Sequence, residues 1–228
     1  MTQFFAAFAL FLALHSVPAL PAIRQRLIAL LGRRFYLALY SLASIASLAW
    51  VFYAALQLDY IELWPPAAWQ AHVALLLVPI ALFLLAAGLI SPNPGSITFR
   101  RGEMQPGAIV TITRHPVLWG FILWAASHVL ANGDLRSLLL FGALALFAIA
   151  GIFMTERRSR RRLGADWTPL AATSSIIPFA AILAGRARWR VDRAMAIAVL
   201  VAALVTAALL GGGHAALFGA DPLALAAS

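Results

Sequence analysis

Two of the five histidines lie in or next to apolar stretches, where an imidazole is unusual and chemically useful. His15 follows the apolar run 2–14, and His128 lies within the run 117–130. Ionisable groups at membrane depth are costly, so they usually face a protein interior and mark a functional site. At about 1.5 Å per residue, His15 lies roughly 18 Å and His128 roughly 20 Å from the start of its helix. Both imidazoles are therefore predicted near the middle of the membrane.

This matched depth favours a cofactor with two axial ligands. Two neutral imidazoles on neighbouring helices can hold one haem iron between them. Phe121 and Trp124 share the helical face of His128, seven and four residues before it, and are candidate walls for a planar macrocycle. The other interpretation is that His15 and His128 are packing residues, each hydrogen-bonded to a backbone carbonyl or a neighbouring serine.

An Arg-His-Pro motif at 114–116 precedes the helix of His128, and its proline suits the first helical turn. His115 and His128 are thirteen residues apart, which puts them roughly 140° apart on a helical wheel and predicts separate roles. The Arg114 guanidinium matches the geometry of an anionic group such as a haem propionate or a cofactor carboxylate. His115 is either a structural cap at the interface or a cofactor contact.

The composition limits the class of protein. Hydrophobic residues make up 63% of the chain and charged residues 11%, which is too apolar for a soluble domain. The net charge of +9 comes from arginines grouped in a few loops, so positive-inside sorting explains it and nucleic-acid binding is not expected. The absence of cysteine excludes disulfides, zinc thiolate sites and Fe–S clusters. No nucleotide loop, serine-nucleophile elbow or paired-carboxylate arrangement stands out.

Hydropathy predicts an all-α bundle of about six transmembrane helices, with both termini on the outer side and every arginine except Arg136 inside. The predicted spans are 2–14, 36–56, 71–90, 117–130, 135–154 and 194–210. The basic segment 155–193 would be cytoplasmic, and within it 176–183 is too short to span and is predicted to be re-entrant or interfacial. We therefore expect a single membrane domain over 1–228 in a bacterial inner membrane, in contact with lipid.

Several motifs, in order, resemble the NnrU family. They are HSVPALPAIR, LGRRFYLALYSLAS, TRHPVLWGFILWAASHVLANGD, a basic ERR run and TSSIIPFAAILAGR. The same order is similar to the plant and cyanobacterial zeta-carotene isomerases, which are NnrU-like haem b proteins. That resemblance implies haem ligands at His15 and His128. The NnrU family is named from denitrification gene clusters, which implies a link to nitrite or nitric oxide metabolism; a lipophilic small molecule or a redox partner is then expected.

A more distant resemblance is to the isoprenylcysteine carboxyl methyltransferases. The matching positions are Arg114, His115, Pro116, Gly120, Glu156 and Pro178. Leu118 stands where that family has a tyrosine. The resemblance implies S-adenosylmethionine as cofactor and a lipidic acceptor, with Arg114, His115 and Glu156 holding the cofactor's polar ends. A non-enzymatic accessory protein is the third possibility.

Overall fold

The computed structural model of the chain describes residues 1–16, 20–100, 102 and 105–227. Within these ranges the regular structure is helical, and an isolated β-bridge joins Glu62 to Asp134. The described α-helices are α1 (Thr2–Ser16), α2 (Pro21–Leu31), α3 (Arg33–Leu56), α4 (Ala68–Ile90), α5 (Ile109–Ile112), α6 (Pro116–Asn132), α7 (Leu135–Leu163), α8 (Trp167–Ala172), α9 (Ala180–Leu183), α10 (Arg193–Ala208), α11 (His214–Phe218) and α12 (Pro222–Ala226). The predicted all-α class is confirmed.

Four helical runs in the described residues are long and apolar enough to cross a membrane, which makes this a membrane protein. They are Arg33–Leu56, Ala68–Ile90, Leu135–Ala172 and Arg193–Phe218. The helices α1 and α6 are also apolar but shorter, at 15 and 17 residues. Six spans with both termini outside therefore stay a prediction. Residues 17–19 of the HSVPALPAIR motif lie outside the described residues.

The chain packs as two compact units. This division does not test the predicted single domain, which stays a prediction. The first unit contains Met1–Leu63 and Asp134–Leu140. Its helix α1 packs along α3 and buries a stripe formed by Phe4, Ala7 and Phe11. These positions recur three and four residues apart, so they share one face of the helix. The stripe fixes the helix whose last turn carries the predicted ligand His15.

The second unit contains Trp64–Gly133 and Phe141–Ser228, and α4 packs in it against both α6 and α10. Glycines allow the close approach of α4 and α6. A Cβ at Gly88 would lie 2.7 Å from a methyl group of Val117, and one at Gly120 would lie 2.8 Å from the carbonyl oxygen of Ala81. Small residues at such contacts are typical of membrane helix packing. They hold α6, which carries His128, directly against α4.

The segment 176–183 packs against the chain just before α6. Its helix α9 has only four residues, and Phe179 before it has a left-handed φ of 63°. The carbonyl oxygen of Ile176 accepts hydrogen bonds from Thr113 Oγ1 and Trp119 Nε1, both at 2.8 Å. A helix this short cannot span a bilayer. The segment instead braces the turn that leads into α6.

Candidate functional site

Helix α6 carries His128, and specific residues fix both ends of this helix. Pro116 occupies its first turn, as the sequence predicts, where a missing N–H costs nothing. Gly133 ends the helix with a left-handed φ of 66°, and a Cβ there would lie 2.5 Å from the carbonyl oxygen of Trp64. Trp64 Nε1 donates to the carbonyl oxygen of Leu130 at 3.1 Å. These contacts set the length and register of the helix around the imidazole.

The His128 ring has a defined tautomer. Its Nδ1 lies 2.7 Å from the carbonyl oxygen of Trp124, which can only accept a hydrogen bond, so Nδ1 carries the proton. In the neutral ring Nε2 is then a lone-pair donor to any metal, and no hydrogen-bond partner for it occurs in the described part of the chain. The ring centroids of Trp124 and Phe141 lie 5.1 and 4.8 Å away. This environment suits a ligating imidazole, whose other nitrogen is normally fixed by a hydrogen bond.

His15 has the same local arrangement in the first unit. Its Nδ1 donates to the carbonyl oxygen of Phe11 at 2.8 Å, again four residues earlier in the helix. The Phe11 and Tyr40 rings lie 4.2 and 6.3 Å from the imidazole centroid. His15 and His128 belong to different units, so their pairing in one site stays a prediction. What they share is the tautomer that a metal ligand needs.

The structure adds a residue that the sequence had placed outside the membrane beyond the last span. The His214 ring centroid lies 6.5 Å from that of His128, and the two ring planes differ by 29°. We call His128, His214, Trp124 and Phe141 the His128 cluster. Phe121, a predicted cofactor wall, is 45% exposed. Trp124 touches His128 as predicted, and its ring also meets Phe141 edge to face at 5.2 Å.

Arg114 and His115 belong to a second, buried cluster, and Arg114 uses most of its donors there. Arg114 is 5% exposed, and its Nη1 donates to both oxygens of Glu156, at 2.8 and 3.0 Å. Its Nε donates to Ser174 Oγ at 3.0 Å, and the group lies 4.7 Å above the Trp167 ring. Burial lowers the pKa of Arg114 below its ordinary value, the nearby Glu156 carboxylate offsets part of this shift, and the guanidinium stays cationic.

His115 links this charge pair to a serine. Its Nε2 lies 2.7 Å from Glu156 Oε1 and its Nδ1 lies 2.8 Å from Ser96 Oγ, while the residue is fully buried. We call Arg114, His115, Glu156, Ser96 and Ser174 the Arg114 cluster. A chain of serine, imidazole and carboxylate can orient protons. Each ring nitrogen of His115 and both oxygens of Glu156 already have a hydrogen-bond partner within the Arg114 cluster. The main effect of this cluster is therefore to hold the turn before α6 in place.

A cavity in the second unit offers an apolar volume of about 350 Å³. Its walls come from α4, α6 and α10, and from the stacked rings of Phe179 and Trp189, which lie 5.9 Å apart with planes 4° from parallel. Leu123, which lines it, is five residues from His128 and thus on another face of α6. The cavity can hold part of a hydrocarbon chain.

Residues 3–222 match the family described as NnrU protein. The chain belongs to the NnrU family. It is 36% identical over 78 residues to the chloroplastic 15-cis-zeta-carotene isomerase of Arabidopsis thaliana, and 32% identical over 84 residues to that of Zea mays. These alignments cover 34% and 37% of this chain, but only 21% and 23% of the two relatives.

The chain thus aligns with less than a quarter of the length of these curated relatives. No solved structure matches it. The predicted NnrU resemblance is confirmed, and the resemblance to isoprenylcysteine carboxyl methyltransferases stays a prediction. In this NnrU protein the structure brings Arg114 and His115 together with Glu156, and it places Trp124 beside His128.

Proposed function

We propose that this NnrU protein is a membrane isomerase that changes the geometry of a double bond in a carotenoid-like polyene, using haem b held by His15 and His128. The observation that carries the proposal is its similarity to two enzymes named 15-cis-zeta-carotene isomerase. Because the similar stretch is short, the activity is assigned here as a proposal for this chain. A location in the bacterial inner membrane stays a prediction.

The donor chemistry fits haem. Each of the two imidazoles donates from Nδ1 to a backbone carbonyl four residues earlier, at 2.8 Å for His15 and 2.7 Å for His128. This bond fixes the ring and makes Nε2 the basic nitrogen, which is the form that binds iron. When bound, haem b would supply an iron centre able to act as a Lewis acid or one-electron partner toward a double bond.

The protein's own contribution is a dry and apolar setting. Trp124 and Phe141 pack on the His128 ring, so water has little room on that side of the imidazole. The apolar cavity beside α4 and α10 matches a substrate made of carbon and hydrogen alone. A hydrocarbon gains about 25 cal/mol for each Å² that leaves water, and it offers no polar group for recognition. Binding by shape and burial is therefore expected.

The direct test is an isomerase assay in cells that accumulate 15-cis-zeta-carotene. Cultures kept in the dark, so that light does not isomerise the pigment, are extracted and their carotenoid isomers are separated by chromatography. We expect the chain to convert the 15-cis isomer, and His15→Ala and His128→Ala each to abolish conversion. His72→Ala is the matched control, because His72 is an exposed histidine at the start of α4.

Two outcomes contradict the proposal in separate ways. A purified wild-type protein that lacks a haem b absorption spectrum, yet isomerises at an unchanged rate, removes the cofactor. A protein that carries haem but leaves every carotenoid isomer unchanged removes the isomerase activity.

A further inference from the structure

His214 is a third histidine whose position is set by an unusual turn. Residues Leu209–Gly213 form a kinked turn between α10 and α11, in which Gly211 and Gly212 leave helical geometry and Gly212 has a φ of 107°. A Cβ at Gly213 would lie 2.5 Å from the carbonyl oxygen of Ala208. Only glycine meets both conditions without strain. The three-glycine run thus re-aims the chain so that His214 follows at the start of α11.

The imidazole of His214 is prepared in the same way as that of His128. Its Nδ1 donates to the carbonyl oxygen of Ala220 at 2.8 Å, so the neutral ring keeps its lone pair on Nε2. Phe218 packs 5.0 Å from the ring. Both histidines of the pair therefore hold Nδ1 in a backbone hydrogen bond. Two such rings at short distance are a donor set for a metal centre rather than for each other, because neither Nε2 carries a proton to give.

The spacing of the two rings is compatible with two imidazoles that bind one metal ion from opposite sides. Two metal–nitrogen bonds of about 2.0–2.1 Å, together with about 1.15 Å from each nitrogen to its ring centre, give a centroid separation of about 6.4 Å when the nitrogens lie on opposite sides. The observed separation is 6.5 Å, with ring planes 29° apart. A tetrahedral ion would bring the rings closer than this. Opposite imidazoles are the axial arrangement of haem iron.

We propose that His214 is a further haem ligand residue, able to hold the coordination position opposite His128. The inference rests on the proposed function for the identity of the metal centre, but its geometry lies wholly within the second unit. His214 would then be an alternative to His15 as the second imidazole ligand of the iron. The chemical class of ligand is an iron porphyrin.

The test uses haem-replete, full-length protein purified in detergent without a histidine tag. Ferric iron with two imidazole ligands gives a low-spin electron paramagnetic resonance signal, and loss of one imidazole converts it to high spin. We expect the double variant His15→Ala/His214→Ala to lose low-spin iron that His15→Ala alone retains. The double variant with His214→Gln should behave in the same way, and His15→Ala/His72→Ala should match His15→Ala.

Identical spectra for His15→Ala and for the double variant would overturn the inference and leave the proposed function standing. If the wild type binds no haem, the proposed function fails, and a haem-free readout then decides the pair. Cu²⁺ is titrated into the protein and its resonance spectrum is examined for coupling to imidazole nitrogens. Loss of this coupling in His214→Ala supports the imidazole pair as a metal site, and equal coupling in both proteins overturns it.

Discussion

The Arg114 cluster and the His128 cluster contrast in how their polar atoms are satisfied. In the Arg114 cluster both ring nitrogens of His115 and both oxygens of Glu156 have partners at 2.7 to 3.0 Å. In the His128 cluster each imidazole uses only Nδ1, and that bond goes to a backbone carbonyl. Both ring nitrogens of His115 are thus used in contacts within the protein, while His128 and His214 each keep a lone pair on Nε2.

This difference separates a structural role from a binding role. A buried polar network in which every group has a partner makes the structure rigid. Removing one side chain leaves the others unpaired in a low-dielectric interior, which is costly. An imidazole held only through Nδ1 costs the fold little when removed, but it is prepared for a metal. Stability should therefore depend mainly on the Arg114 cluster, and cofactor spectra mainly on the His128 cluster.

The largest expected effect on stability is that of Glu156→Gln. The change keeps the size of the side chain but leaves the buried Arg114 guanidinium without its anion, which costs about 3–5 kcal/mol of unfolding free energy. The midpoint of thermal unfolding in detergent measures it. Glu62→Gln makes the same chemical change at an exposed position and should cost less than about 0.5 kcal/mol. Equal midpoints for the two variants would contradict a structural role for the ion pair.

Two histidine substitutions should separate the effect on stability from the effect on the haem spectrum. His115→Ala removes a fully buried ring with contacts at both nitrogens, so we expect a loss of about 2–3 kcal/mol of stability. His128→Ala removes a half-buried ring bonded to its own helix and should cost about 1 kcal/mol, while it abolishes the haem spectrum. Thermal unfolding and absorption spectra are recorded on both variants. A haem spectrum lost in His115→Ala with unchanged stability would break the contrast.

The sequence predicts the local features of this fold well, because they depend on local chemistry. Hydropathy places helices at all six predicted stretches, and Pro116 begins α6 as its missing N–H requires. The paired depth of His15 and His128 is likewise a property of helix rise alone. Their shared tautomer follows from a carbonyl four residues earlier, which any helix provides.

Long-range contacts are the part that sequence patterns cannot supply. Glu156 meets Arg114 and His115 across 42 and 41 residues, and only the packed helices bring them together. From the residues alone Glu156 stands out only as an acid next to an arginine run, and the sequence grouped it with Arg114 and His115 only through the resemblance to the isoprenylcysteine carboxyl methyltransferases. Sequence analysis missed His214 because the last predicted span, 194–210, ends just before the glycines. The run of three glycines before it was the available signal, since such a run permits a turn that other residues resist.

Two glycines in that run give a smaller and more specific perturbation. Gly213→Ala places a Cβ against the carbonyl oxygen of Ala208, so the kinked turn must shift at a cost of about 1–3 kcal/mol. Gly211→Ala meets nothing within 4 Å and has an ordinary φ of −74°, which makes it the matched control. We expect Gly213→Ala, made in a His15→Ala background, to lower the fraction of low-spin haem iron, and Gly211→Ala in the same background to leave it unchanged. The same spectrum from both would show that the turn does not position His214.

The smallest expected effect comes from two serines, one in each region. Ser96→Ala removes the hydroxyl that lies 2.8 Å from His115 Nδ1, and the loss of one such hydrogen bond costs about 1 kcal/mol. Ser127 is buried in α6, and its hydroxyl donates to the carbonyl oxygen of Trp124, which also accepts from His128 Nδ1. Because that oxygen keeps its bond to the imidazole, Ser127→Ala should change stability by less than about 0.5 kcal/mol and leave the haem spectrum as it is. Thermal unfolding and absorption spectra are recorded on both variants. They compare the Ser96 hydroxyl, which completes the Arg114 cluster, with the Ser127 hydroxyl, whose acceptor already has a second hydrogen bond. A larger loss from Ser127→Ala than from Ser96→Ala would reverse the contrast between the two clusters.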